Sequence, residues 1–373
     1  MVLIEKIIDE AMEKGASDIH LMNGMKPILR VSRDLIEISE IDILDENALF
    51  EIYDYIVRGN VIKDEMYKND RRLDTSLVYK DTRLRVNVSF SMDTPVFTMR
   101  IISNSLPPYH ALGLPESIKT VTYQPQGVIL VTGKTNSGKS TTLNALIDEI
   151  NQKQNKKILT LESPVEYRHT SKKSVIIQKE VGPGKDTLTY EDGVKNALRE
   201  DCDILVIGEI RDKVTMEAAI DMAESGHLVI GTLHTKSCAE TIDRIINFYE
   251  VRDQQQIKNL LSTLLKVVVS QRLLKSASGK GLVLIPEVMM VDNTVAACIR
   301  KEKFSVSEIE DAIQGSHDKG SISLINSLAT RFVAGDLTLE QVKAQVDEKN
   351  YETLNRTIMQ IKLRKVPNSN DMM

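Results

Sequence analysis

The sequence predicts an α/β fold, and three observations carry that expectation. An apolar run at 128–132 opens directly into Gly133-Lys134-Thr135-Asn136-Ser137-Gly138-Lys139-Ser140. Leu143, Leu146, Ile147 and Ile150 then fall at i, i+3, i+4 and i+7, the spacing of a helix that buries one face. Further on, short apolar runs at 157–162, 203–207 and 228–233 alternate with helical patterns near 190–199, 215–224 and 238–248. That alternation implies right-handed βαβ crossovers and a parallel sheet covered on both faces.

The elements before this core read in order. Ile4, Ile7, Ile8, Ala11 and Met12 have helical spacing, and Gly15 suits the position just past a helix end. Strands are expected at 18–21 and 26–38, the second bent into a hairpin at Ser32-Arg33-Asp34, with helices near 47–56 and 62–68. At 82–91, Leu84, Val86, Val88 and Phe90 alternate with Arg83, Arg85, Asn87 and Ser89. A turn at Met92-Asp93-Thr94-Pro95 leads to a second alternating strand at 96–102. If the two pair, Arg83, Arg85 and Arg100 share a polar face. Two readings of that face stand: arginines paired to nearby acids, or guanidiniums offered to phosphates held by another subunit. Pro107, Pro108, Pro115 and Pro125 mark 104–126 as a stiff linker.

Beyond the core, 257–274 reads as a long apolar helix and 282–291 as a final strand. The last stretch is helical, with Gly335 ending one helix and Thr338 and Gln341 forming a capping box for the next. Residues 366–373 are expected to be a disordered tail.

With 373 residues the chain has room for two domains. A net charge of −5, no tryptophan and 4% aromatic residues argue against a dedicated nucleic-acid binder. The cysteines Cys202, Cys238 and Cys298 form no C-x-x-C pair, so neither a disulfide framework nor a zinc site is expected, and a reducing cytoplasm fits. No run is long and apolar enough for a membrane span.

Gly133, four residues, Gly138, Lys139 and Ser140 fill G-x-x-x-x-G-K-[ST]. In that pattern backbone N–H groups surround phosphate oxygens and the following helix turns its positive end towards them. The nucleotide-binding set is therefore Gly133, Lys134, Thr135, Asn136, Ser137, Gly138, Lys139, Ser140 and Thr141. Lys139 would neutralise the β and γ phosphates of ATP, and the Ser140 hydroxyl would hold Mg²⁺. Ligands of a parallel sheet collect at the carboxyl ends of its strands, where two acids stand, Glu162 and Glu209. Glu209 is assigned to the metal's water shell and Glu162 to the attacking water, with the exchange of those roles left open. His227 and His234 flank 228–233, about 23 Å apart if the run is extended, so both cannot serve one phosphate. His234, at the carboxyl end, is the candidate γ-phosphate sensor.

Taken together these residues resemble the secretion ATPases of type IV pili and type II secretion, most closely their pilus-retraction branch. The matching pieces are Gly15-Ala16-Ser17-Asp18-Ile19-His20-Leu21, Arg83-Leu84-Arg85-Val86-Asn87, the phosphate loop, Glu162-Ser163-Pro164-Val165-Glu166-Tyr167, Ile207-Gly208-Glu209-Ile210-Arg211-Asp212, and Glu224-Ser225-Gly226-His227 through His234-Thr235. The resemblance implies a PAS-like N-terminal domain over 1–103, a RecA-like P-loop ATPase core over 127–291 and a helical C-terminal region over 292–365. It implies that Arg83, Arg85 and Arg100 are catalytic, and that the chain forms a homo-hexamer acting with related pilus ATPases and an inner-membrane platform protein. Such a protein is cytoplasmic and only peripherally bound to the inner membrane, and its hydrolysis drives pilus fibre disassembly. Asn136 and Ser163 stand where the family has glycine and aspartate, and Ala297-Cys298-Ile299-Arg300-Lys301-Glu302 matches the retraction motif loosely. An extension or type II secretion ATPase, or a nucleotide-gated adaptor with little turnover, are the alternative functions. Extension and secretion members carry an extra N-terminal domain and a four-cysteine loop that this sequence does not show.

Overall fold

A computed structural model describes residues 2–31, 34–58, 61–80, 82–102, 106–279 and 281–365. The expected hairpin turn at Ser32 and Arg33 and the tail at 366–373 lie outside the described residues. The chain divides into two compact units. The first comprises Met1–Leu106 with Glu162–Arg168 and Glu180–Leu188, and the second holds the remainder.

The first unit is built on α1 (Leu3–Glu13), β1 (Asp18–Leu21), β2 (Ile28–Val31), β3 (Asp34–Glu37), α2 (Glu46–Val57), α3 (Val61–Asp70), β4 (Arg72–Tyr79), β5 (Thr82–Ser91) and β6 (Thr94–Ile102). Its strands form one antiparallel sheet in the order β3-β2-β1-β6-β5-β4. The alternation of β5 does what its period of two requires: Leu84, Val86 and Val88 are fully buried with Phe97 and Met99 of β6, against Ile4, Ile7 and Ile8 of α1. Two differences from the sequence reading stand out. β4 was not anticipated, although Leu73, Thr75 and Leu77 alternate inward along it. The β5–β6 turn is only Met92-Asp93, with φ of 49° and 61°, so Thr94 and Pro95 already belong to β6. Paired left-handed residues match the twist of the flanking strands better than a longer loop does.

The second unit begins with α4 (Glu116–Val121), and Tyr109, Ile118 and Val121 from the expected linker are buried in its core. Then come β7 (Gly127–Gly133), α5 (Lys139–Lys153), β8 (Lys157–Glu162), β9 (Val175–Glu180), α6 (Tyr190–Ala197), β10 (Ile204–Ile207), α7 (Lys213–Glu224), β11 (Leu228–Leu233), α8 (Cys238–Ile246), α9 (Val251–Leu264), β12 (Leu265–Lys275) and β13 (Leu282–Met290). The sheet order is β13-β12-β7-β11-β10-β8-β9. The neighbours β12-β7-β11-β10-β8 are parallel, and β13 closes the edge antiparallel to β12. β7 lies inside the sheet between β12 and β11, and Val128, Ile129, Leu130 and Val131 are all fully buried, as a strand covered on both faces should be. The helix after it buries Leu143, Leu146, Ile147 and Ile150 as their spacing requires.

One sequence expectation is overturned here. The run 257–274 is not one helix: α9 stops at Leu264 and the chain continues as β12. The β-branched Val267-Val268-Val269 prefer the sheet, where they are buried between β7 and β13, and apolar continuity alone does not separate the two structures. β9 was likewise not anticipated. The remaining helices are α10 (Asn293–Arg300), α11 (Val306–Gly315), α12 (Leu324–Val333), α13 (Leu339–Lys343) and α14 (Tyr351–Lys365). Thr338 and Gln341 form the expected capping box, each side chain accepting from the other's backbone N–H at 3.2 and 2.8 Å. Leu328, Val342 and Leu354 bury against Ile285 of β13 and so tie the last helices to the edge of the sheet. No described helix is long and apolar enough to cross a membrane.

Candidate active site

The loop between β7 and α5 is shaped by backbone positions that few residues tolerate. Gly133 has φ +146°, and a Cβ there would lie 2.4 Å from Ser137 Oγ and 2.6 Å from the Gln271 carbonyl oxygen. Gly138 has φ +87° and precedes the first residue of α5. Between them Asn136 sits at φ 63°, a left-handed conformation that Asn adopts at lower cost than most side chains. Asn136 therefore keeps the conformation that glycine would otherwise supply.

Lys139, the first residue of α5, is buried. Its ammonium donates to the carbonyls of Gly133 at 2.9 Å and Lys134 at 3.0 Å and lies 3.4 Å from His234 Nδ1. Ser137 Oγ is buried inside the same loop with no hydrogen-bond partner among the described residues. A buried ammonium, an orphaned hydroxyl and the open N–H groups of a helix start are a donor set that fits phosphate oxygens. Lys134, Thr135 and Asn136 are exposed, and Ser140 and Thr141 are half-buried on the first turn of α5.

The strand ends bring two further groups to Lys139. Ile210 N–H donates to the Thr232 carbonyl at 2.8 Å and Thr232 Oγ1 to the Gly208 carbonyl at 2.5 Å, which ties the exits of β10 and β11 together. Glu209, just after β10, thereby meets His234, just after β11: Oε1 lies 3.0 Å from Nε2, and Oε2 is 2.5 Å from a nitrogen of Arg211. Burial pushes the Glu209 carboxyl up, but Arg211, His234 and Lys139 together hold it below its ordinary value. Burial and the Lys139 ammonium push His234 below its ordinary value, so the ring is neutral at pH 7. A neutral ring accepts from Lys139 at Nδ1 and donates Nε2–H to Glu209, giving the line Lys139–His234–Glu209–Arg211. His227, at the other end of β11, bonds Ser225 and the Met222 carbonyl instead.

The remaining candidates belong to the first unit. Arg83 is buried and bonded to Glu180, and it also donates to Ser76 Oγ at 2.9 Å. Glu180 in turn accepts from Lys185 at 2.8 Å and from the Val165 N–H at 3.2 Å. Burial and Arg168 pull the Arg83 guanidinium down, while Glu162 and Asp186 favour its charged form. Glu162 is itself buried, and its carbonyl accepts the Val181 N–H at 2.8 Å. Arg85 and Arg100 are directly opposed in register. Arg100 pairs with Asp18 at 2.9 Å, whereas Arg85 is exposed and lines a hollow of about 320 Å³ with Arg72, Ser163, Glu180 and Lys185. Both readings of the polar face therefore have members: Arg83 and Arg100 are paired to acids, and Arg85 points at open space.

Sequence reasoning missed Glu180, Arg211, Ser137 as an orphan, and Gln271, whose amide donates to Thr142 Oγ1 at 2.7 Å beneath the loop. Glu180 also ends a strand, but Gln178 and Lys179 precede it, so β9 lacks the apolar run that marked Glu162 and Glu209. It escaped because β9 did.

Two outcomes are expected from this geometry. Long-range NMR of the imidazole should show His234 titrating below 6.5, its ordinary value. A group held low in the fold is protonated first in the unfolded chain, so its stability contribution is present above 6.5 and is lost as pH falls through the folded value; titration above 6.5 would contradict the neutral ring. Arg83→Ala should destabilise the protein by about 1–3 kcal/mol because it removes one of the two cations paired with the largely buried Glu180 carboxylate, leaving Lys185 as the other. Arg85→Ala should stay within roughly 0.5 kcal/mol. Denaturant titration of the two variants checks the contrast, and equal effects would contradict it.

These features have counterparts among known proteins. A family profile described as "Type II/IV secretion system protein" matches residues 1–368. The type IV pilus retraction ATPase PilT of Pseudomonas aeruginosa is 35% identical over 351 residues, covering 92% of this chain and 99% of that one. A twitching motility protein of Neisseria gonorrhoeae is 33% identical over 333 residues, covering 88% and 86%. The crystal structure of the pilus retraction motor PilT with bound ADP superposes with a TM-score of 0.85 at 34% identity, covering 94% of this chain and 99% of that one. The match runs through both units and both sheets, and the chain belongs to the type II/IV secretion system protein family.

Proposed function

We propose that the chain is a hexameric motor ATPase that couples ATP hydrolysis to type IV pilus retraction. The observation that carries the proposal is the buried Lys139 ammonium inside a loop with an unpartnered Ser137 hydroxyl, joined through neutral His234 to charged Glu209. The similar protein of P. aeruginosa is a retraction ATPase, and the similar solved structure holds ADP.

In this reading residues 133–141 bind the triphosphate, and Lys139 exchanges loop carbonyls for β- and γ-phosphate oxygens. That exchange is inexpensive because the ammonium is already out of water. His234 sits one hydrogen bond from Lys139 and one from Glu209, so a change at the γ phosphate reaches both. Glu162 orients the attacking water and accepts its proton, or Glu209 takes that part and Glu162 the other. Bound Mg²⁺, held through Ser140 and the Glu209 carboxylate's water shell, would neutralise charge on the phosphates. Exposed Arg85 is the arginine best placed to be lent to another subunit, with Arg83 and Arg100 setting the surface it stands on. The ring works at the cytoplasmic face of the inner membrane through a platform protein, alongside related pilus ATPases.

The test is Lys139→Ala in the cell of origin and in purified form. ATP hydrolysis should be lost, and surface fibres should accumulate because extension continues without retraction. Loss of fibres would turn the reading to extension, and unchanged hydrolysis would overturn the site assignment.

A further inference from the structure

On the second unit, away from the phosphate loop, α7 and α9 enclose a groove of about 260 Å³. Glu217, Asp221 and Glu224 line it from α7, Asp253 from α9, and Ile257 forms part of its apolar floor. The three acids of α7 stand at i, i+4 and i+7 on one face. Like charges at that spacing repel, and Asp221 and Glu224 occupy the helix's last turn, where the macrodipole also disfavours them. Among the described residues neither Asp221 nor Glu224 has an ion-pair partner, whereas Glu217 has Lys213 at 3.4 Å.

A second observation points into the same groove. Tyr249 lines it, is only 5% exposed, and its hydroxyl is buried with no hydrogen-bond partner among the described residues. Burial and the carboxylates of Glu217 and Asp221 push that phenol's pKa well up, so the group stays protonated. An anion would be repelled by the four carboxylates. A metal ion does not fit either, because no cluster of three or more metal-ligating side chains converges among the described residues. What fits is an organic cation with several donors on an apolar stem: methylenes over Ile257, and N–H groups divided between the carboxylates and the phenol oxygen.

We propose that the α7–α9 groove is a docking site for an arginine-bearing segment of a partner protein. The proposal does not depend on the nucleotide reading. The probe is a fluorescein-labelled peptide of alternating arginine and glycine, titrated with the full-length protein at low salt and followed by anisotropy. Saturable binding should weaken about tenfold in Asp221→Asn/Glu224→Gln, roughly two charge-assisted contacts, and severalfold in Tyr249→Phe. It should persist in Glu348→Gln/Glu352→Gln, which removes equal charge elsewhere, and vanish for a citrulline peptide. Thermal melting of each variant shows that the fold is kept. No saturable binding, equal loss in both double variants, or a change of oligomeric state in the groove variant without peptide binding would overturn the proposal; the last would assign the groove to contacts between copies.

Discussion

A buried ammonium at the end of the interior strand β7 is the constraint on which the site depends. Lys139 sits where β7 hands over to α5, held by two loop carbonyls and an imidazole. Taking such a charge out of water is tolerated only with close dipoles around it. That requirement explains the loop's backbone: Gly133 must let Ser137 and Gln271 come within contact, and Gly138 must turn the chain into the helix. It also explains the neutral His234, since a second cation 3.4 Å away would be repelled.

The parallel order of β12, β7, β11, β10 and β8 converts sequence-distant residues into neighbours. Glu209 and His234 meet because the exits of β10 and β11 are tied by Ile210, Thr232 and Gly208. The first unit is organised differently, around an antiparallel sheet whose outer face carries charge. There buried Arg83 and half-buried Glu180, Ser76 and Lys185 form a polar cluster, and Arg85 is left exposed beside it. The two arginines share a strand and differ in what they can do: one holds structure, the other is available to a ligand.

Much of this was legible in the sequence. The β7–loop–α5 segment announced itself because one buried strand, a fixed loop pattern and a helical stripe stand in series, each with its own periodicity. Glu209 and His234 followed from a rule about strand ends. The strand β12 was misread because helix and strand are both apolar on either side of Leu264, and only the run of β-branched valines separates them. β9 is an edge strand with no fully buried residue, so its pattern is weak. The bond between Arg83 and Glu180 spans 97 positions, a distance over which spacing carries no signal. The left-handed Asn136 was visible only as a departure; its backbone angle shows why the loop accepts it.

Calorimetric titration of the purified protein with ADP and with Mg-ATP tests the central claim most directly. Saturable binding of both, each competing with the other, is the predicted result. A flat thermogram at millimolar nucleotide would mean that the Lys139 loop does not hold a phosphate.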